Sequence, residues 1–154
     1  MTYAFRAATP TDAERITAIT MEGFETYRAF APEGWAPPPA GDERARLLRL
    51  LAEDWVFYRV AEHDGELVGH VGFLPAERTF APTGDPALAH FRQLFVARAH
   101  WGTGLAAQAF AAATISLLLG LRARFIDPEA QREFGDLDDG FALLRGALAA
   151  VTRR

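Results

Sequence analysis

The chain has 154 residues, half of them hydrophobic and 12% aromatic, which is enough for one folded domain over residues 1–154 and argues against disorder. A formal net charge of −4 speaks against a nucleic-acid partner, which would need clustered Lys and Arg to neutralise phosphates. With no cysteine there is no disulfide, thiolate metal site or Cys nucleophile, and the start Met1-Thr2-Tyr3-Ala4-Phe5-Arg6 lacks a signal-peptide pattern, so a cytoplasmic protein is expected.

Tyr3 to Ala7 reads as a first strand, and Thr9-Pro10-Thr11-Asp12 as a helix start with Thr9 as N-cap and Asp12 in the first turn. Ile16, Ile19, Gly23 and Tyr27 recur at helical spacing beside Phe24, up to a Pro-rich loop, Ala31 to Pro39. Asp42 is the expected cap of a second helix with Ala45, Leu48 and Leu51-Ala52 as its apolar face. Trp55–Ala61 and Leu67–Leu74 flank His63-Asp64-Gly65-Glu66, a strong hairpin signal. Gly69 and Gly72 mark a bulge or a close backbone approach in the second of these strands. After a polar loop with Pro82, Gly84 and Pro86 comes a strand, Ala89–Ala97, then a glycine turn and a helix from about Thr103 to Leu118.

From Ala99 to Leu121 there is no fixed charge, but Gln108, Thr114 and Ser116 interrupt the apolar run, which falls short of the roughly 20 residues of a membrane span. It reads as a buried helix, and no membrane partner is expected. Leu121 to Ile126 alternates as a further strand, Asp127-Pro128-Glu129 opens a short helix, and Leu137, Phe141, Leu144, Leu148 and Val151 fit a final amphipathic helix. The order β-α-α-β-β-β-α-β-α gives an α/β (α+β) domain around a central mixed sheet flanked by helices. The hairpin makes its middle antiparallel, and the strand-helix-strand unit at its end is expected to be parallel.

The chemistry concentrates at Leu94-Phe95-Val96 and Trp101-Gly102-Thr103-Gly104-Leu105-Ala106. Glycines at a strand-to-helix junction let several backbone N–H groups point at one spot, and the helix N-terminus adds partial positive charge. That is a phosphate cradle built without Lys or Arg. The residues also spell Gly102-x-Gly104-x-x-Ala107 with Asp127 beyond, a dinucleotide-type fingerprint, but that reading needs the turn in a first βαβ unit, and here a hairpin precedes it.

Over residues 3–131 this order and turn resemble the GCN5-related N-acetyltransferase (GNAT) superfamily, whose signature is Gln/Arg-x-x-Gly-x-Gly/Ala after a Leu-Phe-Val-like strand end. Gly104 and Ala106 match it, while Trp101 stands where Gln or Arg is usual. The resemblance implies an acyl-CoA N-acyltransferase fold and transfer of an acetyl group from acetyl-CoA to a primary amine of a small molecule or peptide. Trp101, Gly102, Thr103, Gly104, Leu105 and Ala106 would hold the pyrophosphate. Leu94, Phe95 and Val96 would pair with the pantetheine arm, and an N–H near Phe95 or Val96 would polarise the thioester carbonyl. Phe30 and Trp35 would wall the acceptor pocket, with Arg92 as a further pocket residue.

The family's base position, four residues before the triplet, falls on His90, and strand alternation puts His90 and Arg92 on the face of Leu94. At the C-terminus Asp136 stands where the family often has a Tyr before a Gly-Phe pair, here Gly140-Phe141, and the usual last hairpin is missing. A non-catalytic acyl-CoA-binding or assembly domain is therefore the alternative. A partner subunit on the long apolar helix would supply the missing wall, which favours a homodimer. Tyr58 is either core or a substitute for the missing Tyr. His70 is an exposed, core-edge or pocket residue, and His100 a solvated loop residue. The four histidines are not spaced as a metal site, so no metal is expected.

Overall fold

In the computed structural model, which describes residues 1–78 and 89–124, with side chains through residue 114, the chain opens with strand β1 (Ala4–Ala7). Thr9 keeps extended backbone (φ −122°, ψ 162°), and Pro10–Asp12 form a 3-10 turn that leads into α1 (Ala13–Tyr27). The cap expected at Thr9-Pro10 is present. The Asp12 carboxylate accepts the Thr9 N–H at 2.7 Å and its hydroxyl at 2.9 Å, and both terminal guanidinium nitrogens of Arg6 at 2.8 Å. Arg6 also reaches Glu62 on the neighbouring strand.

The Arg6 hydrogen bonds hold the Asp12 carboxyl down at about 2. Its folded pKa lies below its unfolded value, so its contribution to stability is present above about pH 4 and is lost as pH falls through about 2. Asp12→Asn is expected to destabilise by about 1 kcal/mol at neutral pH and to flatten the acid limb, read from urea midpoints between about pH 5 and 2.

α1 buries Ile16, Ile19 and Gly23 of the stripe its periodicity predicts, together with Thr20, while Tyr27 at the end of that stripe is exposed. α2 (Ala40–Leu51) departs from the sequence reading in cap and face. Pro39 is the N-cap, and its carbonyl accepts the N–H groups of Asp42 and Glu43, so Asp42 lies inside the first turn. The buried face is Glu43 and Leu47, while Ala45 and Leu48 are exposed. Helical periodicity counts a carboxylate as surface. Here Glu43 has a buried partner, Arg92, which turns that side of the helix inward.

The hairpin forms as expected from β2 (Phe57–His63) and β3 (Glu66–Pro75), with Asp64 (φ 51°) and Gly65 (φ 84°) as a left-handed two-residue turn. Among the described residues they make, with β1 and β4 (Ala89–Val96), a four-stranded antiparallel sheet in the order β1-β2-β3-β4. Both readings of the strand glycines hold at Gly72. The register shifts between Gly72 and Phe73, and a Cβ on Gly72 would meet the Tyr58 ring at 2.3 Å.

α1 and α2 cover one face of the sheet, where Ile16, Ile19, Leu47, Tyr58, Val60 and Leu67 pack together. Burying Ile16 and Ile19 completely contributes about 1.5–3 kcal/mol each. Tyr3, Ala61, Val68 and Leu105 pack on the other face.

Helix α3 (Leu105–Arg124) follows the glycine turn. The strand expected over Leu121–Ile126 is thus corrected for its first four residues, which are helical: Leu, Arg, Ala and Arg are good helix formers, and the helix runs through Gly120 into them. The rest of that strand, the short helix at Asp127, the Asp136 and Gly140-Phe141 positions and the final helix lie outside the described residues. Contacts divide the chain into two compact units, Met1–Ala113 and Thr114–Arg154. Among the described residues no helix is long and apolar enough to cross a membrane.

Candidate active site

β4 sets the geometry. Gln93 pairs with Gly72 and Phe91 with Phe73, so Arg92 is an extra, bulged residue. Phe91 therefore points to the α3 face, its ring 5.5 Å from Phe73 and 5.4 Å from Phe110. Arg92, Gln93 and Phe95 turn to the α1 and α2 face, where they meet Glu43, Tyr58 and Phe24. Leu94 lies between Gln93 and Phe95 and so faces the α3 side with Val96, which packs against Leu105. This corrects the expectation that His90, Arg92 and Leu94 share a face, because simple alternation holds only in an unbulged strand.

Beyond β4 the residues Arg98–His100 form a 3-10 turn, and the Arg98 N–H is held by Glu22 of α1 at 3.0 Å. Gly102 (φ 75°) and Gly104 (φ 80°) then take left-handed conformations that favour glycine. Nothing lies within 4 Å of where a Cβ on Gly102 would project. The glycine therefore serves backbone direction, and the space beside it stays open. The N–H groups of Gly102, Thr103 and Gly104 find no protein acceptor among the described residues. α3 starts immediately after, with no acidic side chain in its first turn.

These elements enclose a cleft of about 570 Å³, well within the usual range for a ligand site. Of the residues singled out from sequence, it brings together Leu94, Phe95, Val96, Trp101, Gly102, Gly104, Leu105 and Ala106. Thr103 belongs to the turn, but its side chain hydrogen-bonds Tyr3 behind it. The far wall is Gly23, Thr26 and Tyr27 of α1; helical spacing places Gly23 and Tyr27 in a core stripe and gives no sign of Thr26. Gly23 is the clue available afterwards: a Cβ there would meet the Phe95 ring at 2.2 Å, so helix and strand approach closely at the cleft. His100, read as solvated, also lines it.

Trp101 folds back over the strand edge. Its indole N–H donates to the Val96 carbonyl at 2.7 Å, and the Arg98 guanidinium lies 5.2 Å from its ring. The Val96 carbonyl thus points away from β3. In an antiparallel strand the carbonyl and N–H of one residue point the same way and alternate along the chain, so Leu94 and Val96 present their polar groups outward and Phe95 presents its own to β3.

His90, Arg92, Phe30 and Trp35 do not line the cleft. His90 is half-buried opposite Leu74, at the far end of β4 from the glycine turn. Phe30 is exposed, with its ring 5.3 Å from Tyr27, and Trp35 packs against Phe24 and Tyr27 at 6.4 and 6.0 Å. Both rings thus back onto Tyr27, the residue that does line the cleft.

Arg92 pairs with Glu43 at 3.2 Å inside the protein. Tyr58 is core, its hydroxyl accepting from Gln93, and burial pushes that hydroxyl up to about 12. His70 is likewise fully buried: its Nε2 meets the Thr20 hydroxyl at 3.0 Å, and desolvation, then the Arg92 charge, pushes it down to about 3. It is a neutral core group and does not line the cleft. No cluster of His or carboxylate groups that could hold a metal occurs among the described residues.

A profile of the acetyltransferase (GNAT) family matches residues 20–127. The chain belongs to the GNAT acetyltransferase family. No curated protein sequence matches it. Among solved structures, PaiA N-acetyltransferase from Thermoplasma acidophilum, in complex with coenzyme A, aligns with a TM-score of 0.61 at 13% identity over 78% of this chain and 74% of that one. Aminoglycoside N-acetyltransferase AAC(6')-Iy in complex with CoA gives 0.58 at 15% identity, covering 77% and 71%. Diaminobutyrate acetyltransferase EctA from Paenibacillus lautus, in complex with L-2,4-diaminobutyric acid and coenzyme A, gives 0.50 at 15% identity, covering 73% and 56%. At these identities the likeness is one of fold. This GNAT chain keeps the family's glycine and alanine at Gly104 and Ala106 and departs from it at Trp101.

Proposed function

We propose that this chain transfers an acetyl group from acetyl-CoA to a primary amine of a small molecule or peptide. The supporting observation is that Gly102 and Gly104, whose N–H groups find no acceptor among the described residues, line the cleft that also takes in the outer edge of β4. Trp101 to Ala106 suit a diphosphate, because converging amides and a helix N-terminus favour an anion without a cation. Leu94 and Val96 offer backbone groups to an extended pantetheine arm. The Val96 N–H is the better of the two positions considered for polarising the thioester carbonyl, since Phe95 is turned to β3.

Acetyl-CoA supplies the activated acyl group. The amine nitrogen forms the amide bond, the C–S bond breaks, and one amine proton ends on the departing thiolate. His90 is the proposed base, and Phe30 and Trp35, through Tyr27, with Arg92 shaping β4, border the acceptor side. An aromatic wall suits an ammonium group that must enter before it loses its proton. The diaminobutyrate and aminoglycoside acetyltransferases of this fold have amine acceptors by name.

The test is thiol release from acetyl-CoA across a panel of primary amines. Release above background with at least one amine is expected. Coenzyme A binding with background release throughout would leave only the binding-module reading. His90→Gln is expected to lower turnover and shift the pH optimum, read from the pH profile of kcat; an unchanged profile removes His90 from the role.

Pantetheine pairing at the Val96 carbonyl brings a second donor to the oxygen that the Trp101 indole already holds. Coenzyme A is therefore expected to change tryptophan emission saturably, and Trp101→Phe to abolish most of that change.

A further inference from the structure

We propose that Tyr3 is a positioning residue for the glycine turn, holding the diphosphate cradle in shape from behind; the inference rests on the acetyl-CoA reading above. Tyr3 is nearly buried beside Leu105, on the face of the sheet away from α1. Its hydroxyl lies 3.0 Å from Thr103 Oγ1 and 3.2 Å from His100 Nδ1. The Thr103 hydroxyl reaches the His100 carbonyl at 2.7 Å, and the Leu105 N–H approaches Thr103 Oγ1 at 3.4 Å.

The protons can be placed without conflict. Thr103 gives its one hydroxyl proton to the His100 carbonyl, so its oxygen is free to accept from Tyr3. Tyr3 has then used its own proton, and His100 Nδ1–H must donate to the Tyr3 oxygen. Met1 Sδ, at 3.3 Å, is the only other acceptor near that hydroxyl among the described residues, and thioether sulfur accepts weakly. The result is a closed ring of hydrogen bonds through His100, Tyr3 and Thr103. His63 braces it from β2, with its ring 5.4 Å from both Tyr3 and His100 and its Nδ1 2.9 Å from the Thr2 carbonyl.

Thr103 lies between two glycines, neither of which has a side chain with which to fix the backbone on its side of the turn. Glycine imposes little restriction of its own. Fixing Thr103 from behind orders the peptides on both sides of it and leaves their N–H groups for a ligand. Without the tether the turn has to be ordered by the ligand, which weakens binding of the part of coenzyme A that touches it.

The experiment is calorimetric titration of the full chain with coenzyme A and, separately, with pantetheine, which has no diphosphate. Tyr3→Phe keeps the ring and its packing and removes the hydroxyl. It is expected to weaken coenzyme A binding about tenfold and to leave pantetheine binding unchanged. Thr103→Val is expected to do the same, and the double variant to lose no more than either single one, because all three break one ring.

Equal coenzyme A affinity in the parent and Tyr3→Phe would overturn the inference alone, and so would an equal loss for both ligands, which marks general loosening. A parent that does not bind coenzyme A would overturn the acetyl-CoA reading first.

Discussion

Gly104→Val is expected to abolish measurable coenzyme A binding, a loss of at least about a hundredfold, while the domain still folds. Gly104 sits at φ 80°, and the nearest atom to a built Cβ is Gln108 Nε2 at 3.9 Å. A Cβ there would meet only ordinary van der Waals contact. The penalty is conformational: a left-handed backbone costs an L-residue about 1–2 kcal/mol, and more when it is β-branched. The chain can relieve that strain by rotating the peptides around residue 104, and these are the peptides whose N–H groups the proposed cradle needs.

The global cost is therefore small, a few degrees in Tm, and the local cost large. Gly41, where nothing lies within 4 Å of a built Cβ and φ is not positive, provides the control, and Gly41→Ala should bind as the parent does. Titration calorimetry and thermal unfolding read the two effects separately. Unchanged affinity in Gly104→Val would mean that the amides of the turn do not hold the diphosphate.

The parts of the fold legible in the sequence are those set by neighbours along the chain. Asp64-Gly65 fixes its hairpin because few residue pairs accept two positive φ angles, and Thr9-Pro10 fixes a helix entry through the single φ that proline allows. The glycine turn is legible for the same reason. What was not legible depends on residues far apart. The bulge at Arg92 answers to Glu43, 49 positions away, and it reverses the face of every β4 residue on one side of it. The face of α2 was misread through the same pair, since a carboxylate is assigned to solvent unless its partner is known. Gly23 and Tyr27 carry the helical spacing of a core stripe, and periodicity cannot tell a stripe that meets core from one that borders a cleft. The tether from Tyr3 to Thr103 spans 100 positions and leaves no pattern at all.

The Glu43–Arg92 pair also carries the largest stability effect expected here. Their side chains are only 5% and 8% exposed, and Arg92 Nε finds no partner among the described residues. Such a pair gains little over a well-packed apolar one, because both ions have lost their water. Removing one member is different. Arg92→Met leaves the Glu43 carboxylate buried, with the exposed Arg46 at 3.9 Å as its remaining cation among the described residues. The expected cost is about 3–5 kcal/mol, a large share of the stability of a domain this size.

Glu43→Leu alone should cost less than Arg92→Met, since a bulged arginine has a long stem with which to reach water. The double variant Glu43→Leu/Arg92→Met should recover most of the loss, giving a strongly favourable coupling in a urea double-mutant cycle. Simple additivity of the two changes would show that water reaches the pair and that β4 does not need it to hold its bulge. Strong coupling, with coenzyme A affinity still reduced in the double variant, would instead show that the ion pair shapes the strand edge as well as stabilising the core.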